Sequence, residues 1–227
     1  MSMPANVAIP DVALQDNTSQ RLPCAIVLDG SGSMLGEPID ELNAGLEILE
    51  NELKGDSTAS QRVQLLLVRL GDQDAAEVLT DWTDAMTFAA PKIEANGTTP
   101  LGAAVRLAMH KLEEQKARYK ANGIPYNRPW LFVLTDGAPT DPDWESAAAA
   151  CKAAEAKGQL TFFGIGVGEA DMQVLSKFSA RAPQRLQGLK FKELFVWLSR
   201  SASSASKAAQ GSTTQLASPA GWAEVPT

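Results

Sequence analysis

Asp29, Ser31 and Ser33 stand at alternate positions in the segment Val27-Leu28-Asp29-Gly30-Ser31-Gly32-Ser33-Met34, with glycines between them. All three carry small oxygen donors, and the glycines let the backbone fold tightly enough to aim those donors at one point. Such a set suits a hard divalent cation, which prefers oxygen ligands. Two further stretches carry chemistry of the same kind. Gly97-Thr98-Thr99-Pro100 offers threonine hydroxyls, and Thr135-Asp136-Gly137 offers a second carboxylate.

Catalytic readings are short of parts. His110 is the only histidine and falls inside a helical stretch, so a Ser-His-Asp triad has no good base. A haloacid-dehalogenase-type phosphatase needs an aspartate where Ser31 stands. Gly164-Ile165-Gly166-Val167-Gly168 lacks the full glycine spacing of a dinucleotide loop. Two cysteines and one histidine supply no zinc-ligand spacing. Cys24 and Cys151 both lie in apolar patterns, as reduced core thiols do. Two alternatives stand beside a binding role: a metal-dependent hydrolase or phosphatase whose ion activates water, and a structural subunit whose ion staples loops.

The donors need elements to hold them. Residues 24–28 form an apolar strand that runs straight into Asp29. Pro38 opens a helix at a position where its missing N–H costs nothing. Ile39, Leu42, Leu46, Leu49 and Leu53 make that helix's apolar stripe, and Gly55 ends it. Val63–Leu70 is a near-continuous apolar strand, Gly71-Asp72 turns it, and residues 78–82 return as a shorter edge strand. Residues 84–96 are irregular. Pro100 opens a second long helix, striped by Leu101, Val105, Ala108 and Leu112 and closed by Asn122-Gly123. Then follow a strand at 130–134, a helix at about 143–157, a strand at 160–167, a short helix at roughly 170–178 and a brief strand near 184–187. The last helix carries Phe191, Leu194, Phe195 and Leu198 on its stripe.

Strands alternating with helices, and apolar on both faces, predict an α/β fold: a doubly wound, mainly parallel sheet flanked by helices, with one short antiparallel edge strand. In such sheets, ligands bind outside the carboxyl ends of the strands where strand order reverses. That rule brings Asp29, Ser31, Ser33, a threonine and Asp136 to one rim. Each loop there leads into a helix whose positive N-terminus points at the rim, which mildly opposes a cation.

The chain has 227 residues, 44% of them hydrophobic, enough for one α/β domain with tails. The expected division is a flexible N-terminal arm over 1–20, one domain over 21–200, and a Ser/Ala-rich linker with a C-terminal tail over 201–227. The linker composition includes Gly211-Ser212-Thr213-Thr214. Among the five tryptophans, Trp82 and Trp222 are the expected exposed ones, either of which could anchor a partner. A net charge of −7 argues against nucleic acid and against an anionic membrane surface. The N-terminus shows no secretory pattern and the apolar runs are too short to span a bilayer, so a cytoplasmic location is expected.

Asp-x-Ser-x-Ser, a later Thr and then Thr-Asp-Gly, in that order, resemble the metal-ion-dependent adhesion site (MIDAS) of von Willebrand factor A (vWA) domains. Ser31-Gly32-Ser33-Met34 with Gly36-Glu37-Pro38-Ile39, and Asp136-Gly137-x-Pro139-Thr140-Asp141, are similar to the TerY-type bacterial vWA proteins of tellurium-resistance clusters. Gly221-Trp222 resembles that group too. The resemblance implies a Rossmann-like vWA fold in which Ser31 and Ser33 ligate the ion directly. Asp29, Thr99 and Asp136 would bind directly or through water, and one position would stay open for water or a partner's carboxylate. Counting back from Pro100 selects Thr99, with Thr98 as the alternative. Mg²⁺ is the implied ion, with Mn²⁺ or Ca²⁺ as substitutes. The implied role is a non-enzymatic adaptor linked with a protein kinase and a PP2C-type phosphatase in a bacterial stress, tellurium-resistance or phage-defence setting.

Overall fold

The computed structural model describes residues 17–71, 75–208, 216, 218–219 and 221–223. Residues 1–16 of the expected 1–20 arm, Asp72 of the expected turn and the stretch Gly211-Ser212-Thr213-Thr214 lie outside the described residues. A six-stranded sheet forms the centre: β1 (Leu22–Asp29), β2 (Val63–Leu70), β3 (Ala76–Asp84), β4 (Trp130–Thr135), β5 (Thr161–Gly166) and β6 (Gln184–Arg185). Their order is β3-β2-β1-β4-β5-β6. All neighbours are parallel except β3, which pairs antiparallel with β2 and closes one edge. The helices are α1 (Glu37–Gly55), α2 (Ala59–Arg62), α3 (Leu101–Ala121), α4 (Trp144–Ala156), α5 (Met172–Lys177) and α6 (Phe191–Lys207). The expected α/β doubly wound sheet with one antiparallel edge is what forms, but that edge strand is not short: β3 runs nine residues, beyond the expected 78–82 at both ends.

β1 explains the layering. Every residue in it is buried, because helices cover both faces. Side chains alternate across a strand, so Cys24, Ile26 and Leu28 join one apolar layer with Leu42, Leu46 and Leu49 of α1 and Leu194, Phe195 and Leu198 of α6. Ala25 and Val27 join the other, with Leu101, Val105 and Ala108 of α3 and Ala148 and Cys151 of α4. Pro38 sits in the first turn of α1, where its ring satisfies helix geometry.

Two expectations are corrected at the C-terminal end. α6 runs on to Lys207, well into the Ser/Ala-rich stretch. Ser201, Ala202, Ser203, Ala205 and Ser206 are buried there. Their small side chains let α6 approach α2, Ser203 Oγ donates to Asp56 Oδ2 at 2.7 Å, and Arg62 reaches the Ser206 carbonyl at 2.7 Å. Composition alone made this small-residue helix face look like linker. Trp222, expected outside, is only 2% exposed. Its ring centroid lies 5.1 Å from that of Trp197, and its carbonyl accepts from Gln187 N–H at 2.7 Å. Ala223 bridges antiparallel to Leu186, so this part of the tail docks on its own sheet edge. Trp82 is half-buried, and its indole N–H donates to the Lys111 carbonyl at 3.2 Å.

Helix packing is tight where α1 meets α6. A Cβ at Gly45 would lie 2.7 Å from a ring carbon of Phe195 and 3.0 Å from Phe191 Cβ, whereas one at Gly55 would meet nothing within 4 Å. Gly45→Ala is therefore expected to lower stability by about 1–3 kcal/mol through overpacking, while Gly55→Ala is neutral or slightly stabilising. Urea unfolding of the two variants checks the contrast. Both cysteines are free and buried. Burial pushes the Cys24 thiol well up and Cys151 up to about 12, with Glu155 adding to the latter. Because only the thiolate attacks, neither should react with a disulfide reagent at pH 8 in the native protein. Both should react in denaturant.

Candidate metal centre

Strand order places the rim. From β1 the sheet grows outward through β2 and β3 on one side and through β4, β5 and β6 on the other. The reversal therefore lies between β1 and β4, at whose carboxyl ends ligands collect in open α/β sheets. Asp29 is the last residue of β1, and Asp136 follows Thr135, the last residue of β4.

Asp29 is fully buried. Its Oδ1 accepts the Ser31 N–H at 2.9 Å and its Oδ2 accepts the Thr135 hydroxyl at 2.5 Å. The chain then enters a 3-10 turn, Gly32–Met34, which buries Met34 and turns Ser33 outward. Ser31 Oγ and Ser33 Oγ are 3.0 Å apart, and Ser33 Oγ donates to Asp136 Oδ1 at 2.8 Å. The threonine loop is tied on by backbone: Gly32 N–H donates to the Gly97 carbonyl at 3.0 Å, and Asn96 N–H to the Gly30 carbonyl at 2.8 Å. Thr99 is 5% exposed, and a Cβ placed on Gly137 would lie 3.0 Å from its Oγ1. Its hydroxyl thus faces the Asp136-Gly137 turn. Thr98 is half-buried and its N–H donates to the Gly71 carbonyl at 3.2 Å. Asp29, Ser31, Ser33 and Asp136 are so joined in one chain of hydrogen bonds, with Thr99 across Gly137 from it.

Burial raises the Asp29 carboxyl above the ordinary aspartate range. Hydrogen bonds from Ser31 and Thr135 oppose the rise, and the charge of Asp136 adds to it. A cation at the rim would relieve both the desolvation and the like-charge repulsion. Among the described residues no three His, Cys, Asp or Glu cluster as a metal site, so an ion here would need the hydroxyls as well as the two carboxylates. The spacing suits one. Octahedral Mg²⁺ with bonds of about 2.0–2.1 Å sets adjacent ligand oxygens roughly 2.9 Å apart. The separations of 3.0 Å (Ser31 to Ser33) and 2.8 Å (Ser33 to Asp136) fall on either side of that value. An all-oxygen donor set selects a hard ion over a thiophilic one.

Three neighbours stood in the motifs but had no role assigned from sequence. Thr135 holds Asp29 from the adjacent strand. Thr140 grips the threonine loop twice: its N–H donates to the Thr99 carbonyl at 2.9 Å, and its Oγ1 accepts from Thr99 N–H at 3.1 Å. Asp141 caps α3 from outside, accepting from Gly102 N–H at 3.2 Å and Ala103 N–H at 3.0 Å. The run from Asp136 to Asp141 was the available signal, but the partners are remote in sequence. His110 is exposed on α3 and pairs with Glu114 at 3.2 Å, the surface role expected of it.

Residues 24–191 match the family model of the von Willebrand factor type A domain. The chain belongs to the vWA family. vWA domains commonly mediate protein–protein interaction. No curated protein matches the sequence. Among solved structures, the pilus adhesin SpaC from Lactobacillus rhamnosus GG aligns at TM-score 0.65 and 12% identity, over 83% of this chain and 31% of that one. Proximal thread matrix protein 1 from the mussel byssus aligns at TM-score 0.57 and 15% identity, over 84% and 47%. The SpRpn10 VWA domain aligns at TM-score 0.50 and 15% identity, over 76% and 82%. The chain thus spans less than half of the adhesin and the matrix protein, and at these identities the likeness is one of fold. No helix among the described residues is long and apolar enough to cross a membrane.

Asp141 offers a test of how this vWA rim is built. Asp141→Ala leaves the first N–H groups of α3 without their acceptor and should cost about 1–2 kcal/mol, as losing a helix cap does. Asp141→Asn keeps one acceptor oxygen and should cost less. Denaturant midpoints of both variants against wild type check this order.

Proposed function

We propose that this vWA domain is a metal-dependent protein-binding module. Asp29, Ser31, Ser33, Thr99 and Asp136 would hold the ion, Mg²⁺ first and Mn²⁺ or Ca²⁺ as substitutes. The bound ion would supply a positive corner that takes an acidic side chain of a protein partner. The observation that carries the reading is the oxygen chain Ser31–Ser33–Asp136, spaced as neighbouring ligands of one small cation and backed by the buried Asp29. Ser33 lies on the exposed side of the turn and presents that chain to solvent. The role we propose is non-enzymatic; the one histidine, His110, lies exposed on α3 beside Glu114. The TerY-like motifs, Ser31 to Ile39 and Asp136 to Asp141, extend the proposal. The partners are then a protein kinase and a PP2C-type phosphatase in a cytoplasmic bacterial stress or tellurium-resistance system.

Two measurements test this. Saturating Mg²⁺ or Mn²⁺ should stabilise the wild-type chain relative to chelator. At a hundredfold excess over Kd the gain is about 2.7 kcal/mol, or roughly 5–10 °C in Tm for a chain of this size. Asp29→Ala should remain folded in chelator and show no metal-induced shift. In a pull-down from the native host, partner capture should require the ion and be lost in Asp29→Ala. Capture that persists in chelator, or in the variant, defeats the proposal.

A further inference from the structure

Arg69 is a charged residue with only 6% exposure, one residue from the carboxyl end of β2. It pairs in register with Leu28 of β1 on one side and Glu77 of β3 on the other. Its guanidinium gathers partners from three segments. Nη1 donates to Glu77 Oε1 at 3.0 Å, with which it forms an ion pair. Nη2 donates to the Glu94 carbonyl at 2.8 Å and to Asn96 Oδ1, and stands 3.5 Å from the Gly30 carbonyl. Nε is buried with no hydrogen-bond partner. A Cβ on Gly30 would lie 2.5 Å from that Nε, so the serine loop can lie this close only with glycine there.

Burying an arginine with one N–H unsatisfied is costly, and the bonds of its other two nitrogens must offset that cost. What they hold here is the joint between two loops of the rim. Gly30 lies between Asp29 and Ser31, and its carbonyl also accepts from Asn96 N–H. That fixes the peptide whose N–H, on Ser31, binds Asp29 Oδ1. Glu94 and Asn96 lead directly into Gly97 and Thr99. Arg69 therefore sets the offset between the Asp29–Ser33 loop and the threonine loop without being a ligand itself.

We propose that Arg69 is the positioning residue of the metal centre, clamping the serine and threonine loops in the register their oxygens need. This rests on the metal-binding reading above. Two effects of opposite sign compete. The positive charge of Arg69 near the rim opposes a cation, so removing it would tighten metal binding if charge dominated. Removing the clamp would weaken binding. Glu77 already offsets the charge at 3.0 Å, whereas no other side chain bonds both Glu94 and Asn96 among the described contacts. The clamp wins.

The test uses the full chain, titrated with Mn²⁺ by calorimetry, as wild type, Arg69→Met, Arg69→Lys and Asn96→Ala. Supporting partners of a metal site are worth about 10- to 100-fold in affinity, so both Arg69 variants should lose that much. Lysine keeps the charge but cannot fork. Asn96→Ala should lose less, and adding it to Arg69→Met should cost little more, because the two act as one unit. A second readout needs no metal. In chelator, amide exchange in Arg69→Met should accelerate at Gly32 and Asn96, whose N–H groups tie the loops, and stay slow at Val27 and Val68 in the core strands. Arg69→Met binding Mn²⁺ as tightly as wild type, or more tightly, overturns the inference alone. Wild type binding no Mn²⁺ overturns the metal-binding reading, and this inference with it. If Arg69→Met does not fold cooperatively, exposed Asn96 decides: unchanged affinity in Asn96→Ala overturns the clamp.

Discussion

The carboxyl group of Asp29 is enclosed at the end of the central strand, and a buried polar group must find hydrogen-bond partners around it. Thr135 answers from β4 and the Ser31 N–H answers from the next turn of chain. The first bond pins the ends of two strands that are distant in sequence. The second folds the glycine-spaced loop back over the sheet instead of letting it run into solvent. Once that loop is folded, the Gly30 carbonyl meets Asn96 and the Gly32 N–H meets Gly97, which brings in the threonine loop. Much of the rim's order follows from this one buried carboxyl group.

The rim also handles its own electrostatics. Helix N-termini directed at a cation would oppose it, and α3 begins beside the threonine loop. Its first free N–H groups are instead taken by Asp141. The carboxylate that completes the loop after β4 thus removes a positive end from the neighbourhood. Arg69 is similarly answered by Glu77. With a net charge of −7 the whole chain repels acidic partners at long range, so any attraction to a carboxylate must be local.

Legibility followed the range of the interactions. β2 forms over the expected residues because a run of eight apolar-rich positions buried on both faces has one solution. The helices behind Pro38 and Pro100 begin where proline places them. The stretch past Arg200 misled, since Ser and Ala mean linker when exposed and close helix packing when buried. Trp222 misled for the same reason: its environment is Trp197 and the β6 edge, neither near it in sequence. α2 carries too few residues to show a period, and it forms where Asp56 accepts the N–H groups of Thr58 and Ala59.

By itself the sequence determined the kind of fold, the strand ends that carry Asp29 and Asp136, and the oxygen-only character of the candidate site. Those are local matters: apolar run length, proline and glycine placement, and side-chain chemistry. Only the tertiary structure decided that Thr135 secures Asp29, that Thr99 faces Gly137, that Asp141 caps α3 and that Arg69 lies beneath the serine loop. Each is a contact between segments far apart in the chain. Hydrogen bonds of that kind leave no periodicity to read, because they depend on which strands lie side by side.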